Sequence, residues 1–323
     1  MSITDGQTRP DISTVTPMLT AIEDNVTRVI SGKPAVVRLA IITLLAEGHL
    51  LVEDVPGVGK TLLARALARS IDCTVSRVQF TPDLLPSDVT GITVYSPDTG
   101  RFTFRPGAVF ANIVLGDEIN RAGPKTQSSL LECMEERTVT IDGATHELAR
   151  PFMVIATQNP IELEGTYPLP EAQRDRFLMR IEIGYPHQDD ELEILRTHGR
   201  GNPLDELVPA CDAATVANAI DRIREVAVTE ALERYVIALC RATRAHPEVE
   251  LGASPRASLA LLRAARAEAA INGRDYVVPD DVKRLAPHVL AHRLILSPDS
   301  ELAGHTAVAV IEDVVDGVPA PTD

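Results

Sequence analysis

Asp54-Val55-Pro56-Gly57-Val58-Gly59-Lys60-Thr61 follows the apolar run His49–Glu53 and precedes the helical stretch LLARALARS. Glycines between a strand and a helix let backbone N–H groups curl around an anion, and the helix N-terminus adds its partial positive charge. A lysine closing such a loop reaches β- and γ-phosphates, and a following threonine offers its hydroxyl to Mg²⁺. Lys60 and Thr61 fill those places, with Asp54 to Gly59 as the cradle. The usual pattern has glycine where this chain has Asp54, a departure that is tolerable if the Asp54 side chain points outward. A glycine-rich turn with an incidental lysine is the plain alternative, and the flanking strand and helix argue against it.

A second pair stands about 55 residues further on. Asn112-Ile113-Val114-Leu115-Gly116 runs into Asp117 and Glu118. Asp117 at a strand tip suits Mg²⁺, which keeps several waters and takes few protein carboxylates. Glu118 is then placed to polarise an attacking water as general base. A third apolar run, Phe152–Ala156, ends in Thr157-Gln158-Asn159-Pro160, where the Asn159 amide can bond both a γ-phosphate and the lytic water. On spacing alone, Asn159 reads equally well as a turn former before proline.

These groups need a scaffold that brings several strand ends together. The runs His49–Glu53, Thr74–Phe80, Ile113–Leu115, Phe152–Ala156 and Leu178–Ile183 are short, rich in apolar residues and separated by helical segments. Such runs are parallel strands buried on both faces, so a doubly wound α/β sheet is expected over roughly the first 185 residues. Met18–Val29 and Pro34–Ala46 have helical spacing, with Pro34 suited to a first turn. Two hairpins interrupt the rhythm: Gly91–Phe104, turning at Pro97-Asp98-Thr99-Gly100, and Thr138–Leu148, turning at Asp142-Gly143. Residues 1–16 read as a loose tail and 17–186 as the α/β core. From 187 to 323 only helices are predicted (Asp189–Arg196, Thr215–Arg224, Thr229–Thr243, Ser254–Ile271, Pro279–His292 and Thr306–Val318), with Ser254-Pro255 as cap and first turn.

Composition sets the outer bounds. The 323 residues are 45% hydrophobic and 24% charged, as in ordinary globular proteins. The net charge of −15 disfavours a general nucleic-acid surface. Cys73, Cys133, Cys211 and Cys240 are widely spaced and read as small buried hydrophobes in a reducing compartment. The polar, acidic start is unlike a signal peptide, and no apolar run is long enough to span a membrane. A soluble cytoplasmic protein is expected. His288 and His292 are four apart but lack a third ligand, so packing or surface roles are expected. Arg256, Arg263 and Arg266 read mostly as a solvated helix face with Glu268.

The stretches HLLVEDVPGVGKT, VLGDEINRAGPKTQSSLLECMEERTVTIDG, VIATQNPIELEGTYPLPEAQRDRFLMR and GASPRASLALLRAARA resemble the MoxR family of AAA+ ATPases over nearly all of the chain after the tail. EDVPGVGKT, with its aspartate, is a common variant there. The resemblance implies an AAA+ α/β core with two hairpin inserts and a helical lid, ATP and Mg²⁺ as cofactors, and a hexameric ring. Lys60 and Thr61 correspond to the Walker A pair, Asp117 and Glu118 to Walker B, Asn159 to sensor 1 and Arg256 to sensor 2. Arg176 corresponds to the arginine finger acting on a neighbour's ATP, with Arg174 and Arg121 as competing candidates. Ile30–Lys33 resembles the segment lining the adenine pocket. The family implies remodelling or maturation of partner proteins carrying von Willebrand factor A domains, with the hairpins meeting substrate at the pore. Other readings are a nucleic-acid motor, a magnesium-chelatase-like ATPase, and a nucleotide-dependent switch with little turnover.

Overall fold

The computed structural model describes residues 12–55, 57–98, 100–159, 166–198 and 202–321. They form two compact units: Ala21–Ala217, and Asn218–Asp323 together with the chain start through Thr20.

The first unit holds helix α1 (Thr16–Val29, its first turn in the other unit), α2 (Pro34–Leu45), strand β1 (Leu50–Glu53), α3 (Lys60–Ser70), β2 (Val75–Gln79) and α4 (Pro86–Thr90). A hairpin of β3 (Gly91–Ser96) and β4 (Arg101–Pro106) follows, then β5 (Ile113–Asp117) and α5 (Pro124–Glu136). A second hairpin, β6 (Thr138–Ile141) and β7 (Ala144–Glu147), leads to β8 (Met153–Gln158), α6 (Glu171–Arg174), β9 (Met179–Ile181), α7 (Gln188–His198) and the start of α8 (Ala213–Arg224), which belongs to the other unit from Asn218 on. The five-stranded sheet has the order β2-β5-β8-β1-β9, and every pairing is parallel. Leu50, Leu51, Val52, Ile113, Val114, Val154 and Ile155 are wholly buried, so helices must cover both faces of the sheet. α3 presents Leu63, Ala64, Ala66, Leu67 and Ala68 to that core at helical spacing. The five expected strands are therefore present.

Both expected hairpins form separate two-stranded sheets beside the main one. Asp142 and Gly143 both have positive φ (51° and 80°), which a tight two-residue turn requires. In the first hairpin Thr99 lies outside the described residues. The hairpins touch through aromatic rings: Phe104 stacks on His146 with centroids 4.1 Å apart, and Phe110 meets both edge-on. The base of the second hairpin is braced by one carboxylate. Glu47, buried in the α2–β1 turn, accepts Arg137 Nη1 at 2.7 Å from one foot and Arg150 Nε at 3.0 Å from the other.

Residues 187–217 were expected with the helical part, whereas they belong to the compact α/β unit. Ala210 N–H donates to Ser70 O, Arg69 Nε to Leu207 O and Asn25 Nδ2 to Val208 O, so this segment is tethered to α3 and α1.

The second unit contains α9 (Glu230–Ala245), β10 (Val249–Leu251), α10 (Pro255–Ile271), α11 (Pro279–Leu290), β11 (Ile295–Leu296), α12 (Pro298–Leu302) and α13 (Ala307–Gly317). It is not wholly helical: β10 and β11 pair antiparallel. Residues 12–16 are not a loose tail. Ile12 and Val15 are buried, and Thr14 Oγ1 accepts Arg222 Nη1 at 2.6 Å. Residues 1–11 lie outside the described residues. Glu268 is fully buried and pairs with Arg284 at 2.6 Å, correcting its expected place on a solvated face. α11 stops at Leu290, so His292 sits buried in a following 3₁₀ turn and does not share a helix with His288. Cys133 and Cys240 are buried, but Cys73 and Cys211 are only half-buried, and all four thiols are free. Burial pushes the Cys73 thiol up to about 12, with neighbouring Asp72 and Cys211 adding to the shift.

Candidate functional site

The carboxyl ends of β1, β2, β5 and β8 come level at one edge of the sheet, where open α/β sheets place their ligands. Gln79 is in register with Asp117, Gly116 with Ala156, and Glu53 with Gln158. A cleft of about 360 Å³ opens there, lined by Gly57, Gly59, Lys60, Thr61, Arg77, Gln79, Asp117, Glu118, Thr157 and Asn159.

On the β1 side, Gly57 (φ 88°) and Gly59 (φ 97°) adopt left-handed backbone, and a Cβ at either would meet nothing within 4 Å. Glycine is needed here for the turn and not for space. The N-cap of α3 is Gly59, which has no side chain to cap the helix, and Lys60, Thr61 and Leu62 of its first turn line the cleft, as an anion site requires. Lys60 Nζ donates to Asp54 O at 2.7 Å. Burial holds the Lys60 ammonium below the ordinary lysine range, while Asp54, Asp117 and Glu118 pull it back up. Val55 and Val58 supply loop backbone, and Pro56 lies outside the described residues.

Asp54 departs from expectation. Its side chain does not point outward but is buried, accepting the N–H groups of Val55, Ile183 and Gly184 at 2.6–2.8 Å. It is not among the cleft-lining residues, and its charge is met by three backbone N–H groups.

Opposite the loop, Asp117 ends β5 and is 7% exposed. Arg77 Nε reaches its Oδ2 at 2.7 Å, and Thr157 Oγ1 donates to Oδ1 at 3.3 Å. Glu118 takes a left-handed φ of 57°, a strained choice for a non-glycine residue that clusters at functional sites. Its N–H donates to Thr157 Oγ1 at 2.9 Å, and its Oε2 accepts Gln79 Nε2 at 2.8 Å and Arg121 Nη1 at 3.1 Å. Asn159, 7% exposed, follows β8 directly and faces the same cleft, while Pro160 and the rest of 160–165 lie outside the described residues. The Thr61 hydroxyl and the Asp117 carboxylate are hard oxygen donors on one cleft, a set that fits Mg²⁺. Bound there, Mg²⁺ would neutralise phosphate charge, and Thr61 and Asp117 would hold it.

Three polar residues of this cleft were not singled out from sequence: Arg77, Gln79 and Thr157. The available signal was polar residues at alternate positions of β2, on a strand otherwise expected to be apolar. Of the arginine candidates, Arg121 bonds Glu118 of its own chain. Arg176 pairs with Glu135 at 3.2 Å, and Arg174 faces Glu171 at 3.9 Å; neither lines the cleft. Arg256 is exposed in the first turn of α10, in the second unit, where Ser254 caps the helix as expected.

Comparison with known proteins agrees with this geometry. Residues 49–179 match the ATPase family associated with various cellular activities (AAA), and residues 241–314 match the AAA lid domain. YeaC of Bacillus subtilis is 48% identical over 94% of this chain and 95% of its own. Chaperone MoxR1 of Mycobacterium tuberculosis is 45% identical over 92% of this chain and 80% of its own. Protein MoxR of Methylorubrum extorquens is 34% identical over 93% and 94%. A crystal structure of a candidate ATPase from Cytophaga hutchinsonii superposes with a TM-score of 0.90 at 39% identity, covering 97% of each chain. With a phosphate loop facing paired carboxylates on a parallel sheet, the chain belongs to the MoxR family of AAA+ ATPases and hydrolyses ATP.

Proposed function

We propose that this ATPase spends ATP on remodelling or maturing other proteins, working in the cytoplasm as a hexameric ring with each ATP between two subunits. Its clients carry von Willebrand factor A domains. The single observation that carries the mechanism is the cleft in which Lys60 and the open N-terminus of α3 face Asp117, Glu118 and Asn159. Lys60 and the 54–59 backbone bind the phosphates, while Thr61 and Asp117 hold Mg²⁺. Glu118 takes the proton of the attacking water, and Asn159 orients that water against the γ-phosphate. Arg176 stabilises developing charge on the neighbour's ATP, and Arg256 senses the γ-phosphate from the lid. Support for the chaperone role comes from the name of the mycobacterial relative. No helix among the described residues is long and apolar enough to cross a membrane.

The test is steady-state hydrolysis across a protein concentration series, with mass measured in parallel, beside Glu118→Gln. Turnover that rises with assembly, and a mutant that retains ATP without turning it over, are the expected results. Normal hydrolysis by Glu118→Gln refutes the general-base role. Turnover independent of assembly refutes the ring.

A further inference from the structure

Asp54 occupies the place of a loop glycine, yet its carboxylate is fully engaged. Oδ2 accepts Ile183 N–H at 2.7 Å and Gly184 N–H at 2.6 Å, and Oδ1 accepts Val55 N–H at 2.8 Å. Hydrogen bonds to an ionised acceptor are roughly twice as strong as neutral ones. The same residue's carbonyl is where Lys60 Nζ rests.

A second tie reaches the same turn from the other side. Lys33 Nζ donates to Tyr185 O at 2.8 Å. Gly184 has φ 67°, and a Cβ there would stand 3.6 Å from Lys33 Nζ. Gly32 (φ 72°) packs against the Asp190 carboxylate. The turn 183–185 thus holds the phosphate loop through Asp54 and the 30–33 segment through Lys33.

Strand order gives the direction of a bound ligand. β5 and β8, which carry Asp117, Glu118 and Asn159, lie on one side of β1, and β9 lies on the other. A nucleotide with its terminal phosphate at Glu118 extends its nucleoside toward the turn after β9.

We propose that Asp54 is a positioning residue that fixes the spacing between the phosphate-binding and nucleoside-binding halves of the site. This rests on the ATP-site reading above, including Ile30–Lys33 beside the base. A ligand that bridges two halves held at the right separation gains from both, because engaging the second half is intramolecular. Cutting the Lys33 tie leaves the phosphate half intact and removes that gain, whereas removing the Asp54 carboxylate also frees the Val55 N–H within the loop. A ligand that touches the phosphate half alone does not register the Lys33 cut.

The experiment compares binding of ATP and of inorganic tripolyphosphate, each with Mg²⁺, to the full chain by calorimetry. In Asp54→Gly, which restores the usual loop residue, ATP affinity should fall roughly tenfold or more, and by a much larger factor than tripolyphosphate affinity. Lys33→Met cuts the other tie on a half-buried surface residue and should show the same selective loss. Asp54→Asn keeps an oxygen for the Ile183 and Gly184 N–H groups and should recover most of the ATP affinity. Equal losses for both ligands in Asp54→Gly would mean that Asp54 only supports the loop and would overturn the proposal. So would unchanged ATP binding in both Asp54→Gly and Lys33→Met. A wild-type chain that binds neither ligand would refute the nucleotide-site reading itself, and the proposal with it.

Discussion

Replacing Thr157 with valine keeps the side-chain shape and removes one hydroxyl, which separates the placement of Glu118 from its chemistry. That hydroxyl accepts the Glu118 N–H at 2.9 Å and donates to Asp117 at 3.3 Å, and the residue is 1% exposed. In Thr157→Val the part-buried Glu118 N–H loses its protein acceptor, and a donor stranded in this way costs up to roughly 1–3 kcal/mol. For a compact unit of about 200 residues, each kcal/mol lowers the thermal midpoint by roughly 2–4 °C, so a fall of up to roughly 2–12 °C is expected. Glu118 is also held at φ 57°, a conformation costing about 1–3 kcal/mol that persists only while its surroundings enforce it. The lost bond and the stored strain are of similar size, so Glu118 is free to relax out of position. If that whole amount comes out of transition-state stabilisation, kcat falls roughly 5- to 150-fold. The assay is steady-state hydrolysis at saturating ATP with a parallel melt, and Thr157→Ser, which keeps the hydroxyl, as the control. Valine at wild-type kcat with a lowered midpoint would show that Gln79 and Arg121 place Glu118 without Thr157. A serine variant as slow as valine would assign the effect to the methyl group.

Further outcomes follow from neighbouring contacts. Arg77→Ala frees the Asp117 Oδ2 and should lower the Mg²⁺ concentration for half-maximal ATP binding by roughly two- to fivefold, since an ion pair with so exposed a partner is worth at most about 1 kcal/mol. A raised Mg²⁺ requirement in a fluorescent-nucleotide titration would contradict this. Glu47→Gln should cost roughly 1–3 kcal/mol, because the carboxylate is buried but both arginines are partly solvated, and should speed hydrogen exchange in residues 138–147. Unchanged exchange there would refute its role as the hairpin's anchor. Burial holds Lys60 below the ordinary lysine value near 10.5, so its charge is lost as pH rises through that lowered pKa. ATP affinity should therefore decline before that ordinary value is reached, and a binding profile flat up to it would show that Lys60 is not so perturbed.

Much of this was written in the chain in forms a reader of sequence can use. The central strands are legible because parallel strands buried on both faces are unbroken apolar runs, and Asp142-Gly143 is legible because few residue pairs tolerate two positive φ values. The phosphate loop and Asp117-Glu118 are local motifs. What escaped depends on partners distant in sequence. Thr157 matters because β8 lies beside β5, and Arg77 and Gln79 because β2 lies on the other flank of β5. The inward turn of Asp54 depends on backbone N–H groups more than a hundred residues away. Glu268 looks solvated until Arg284 is brought to it by a different helix. The β10–β11 ribbon escaped for another reason: strands of three and two residues are too short to show a period.

The bracing of the second hairpin has a mechanical consequence. Both feet of residues 138–147 are bolted to Glu47, and three residues later the chain enters β1. The two feet of the hairpin share one anchor, so displacement of either acts on the same Glu47 carboxylate. That anchor leads into the amino end of β1, a four-residue strand that spans about 13 Å and is clamped between β8 and β9. At the far end of that strand is Asp54. The anchor of the hairpin and the phosphate loop thus lie at the two ends of one short central strand.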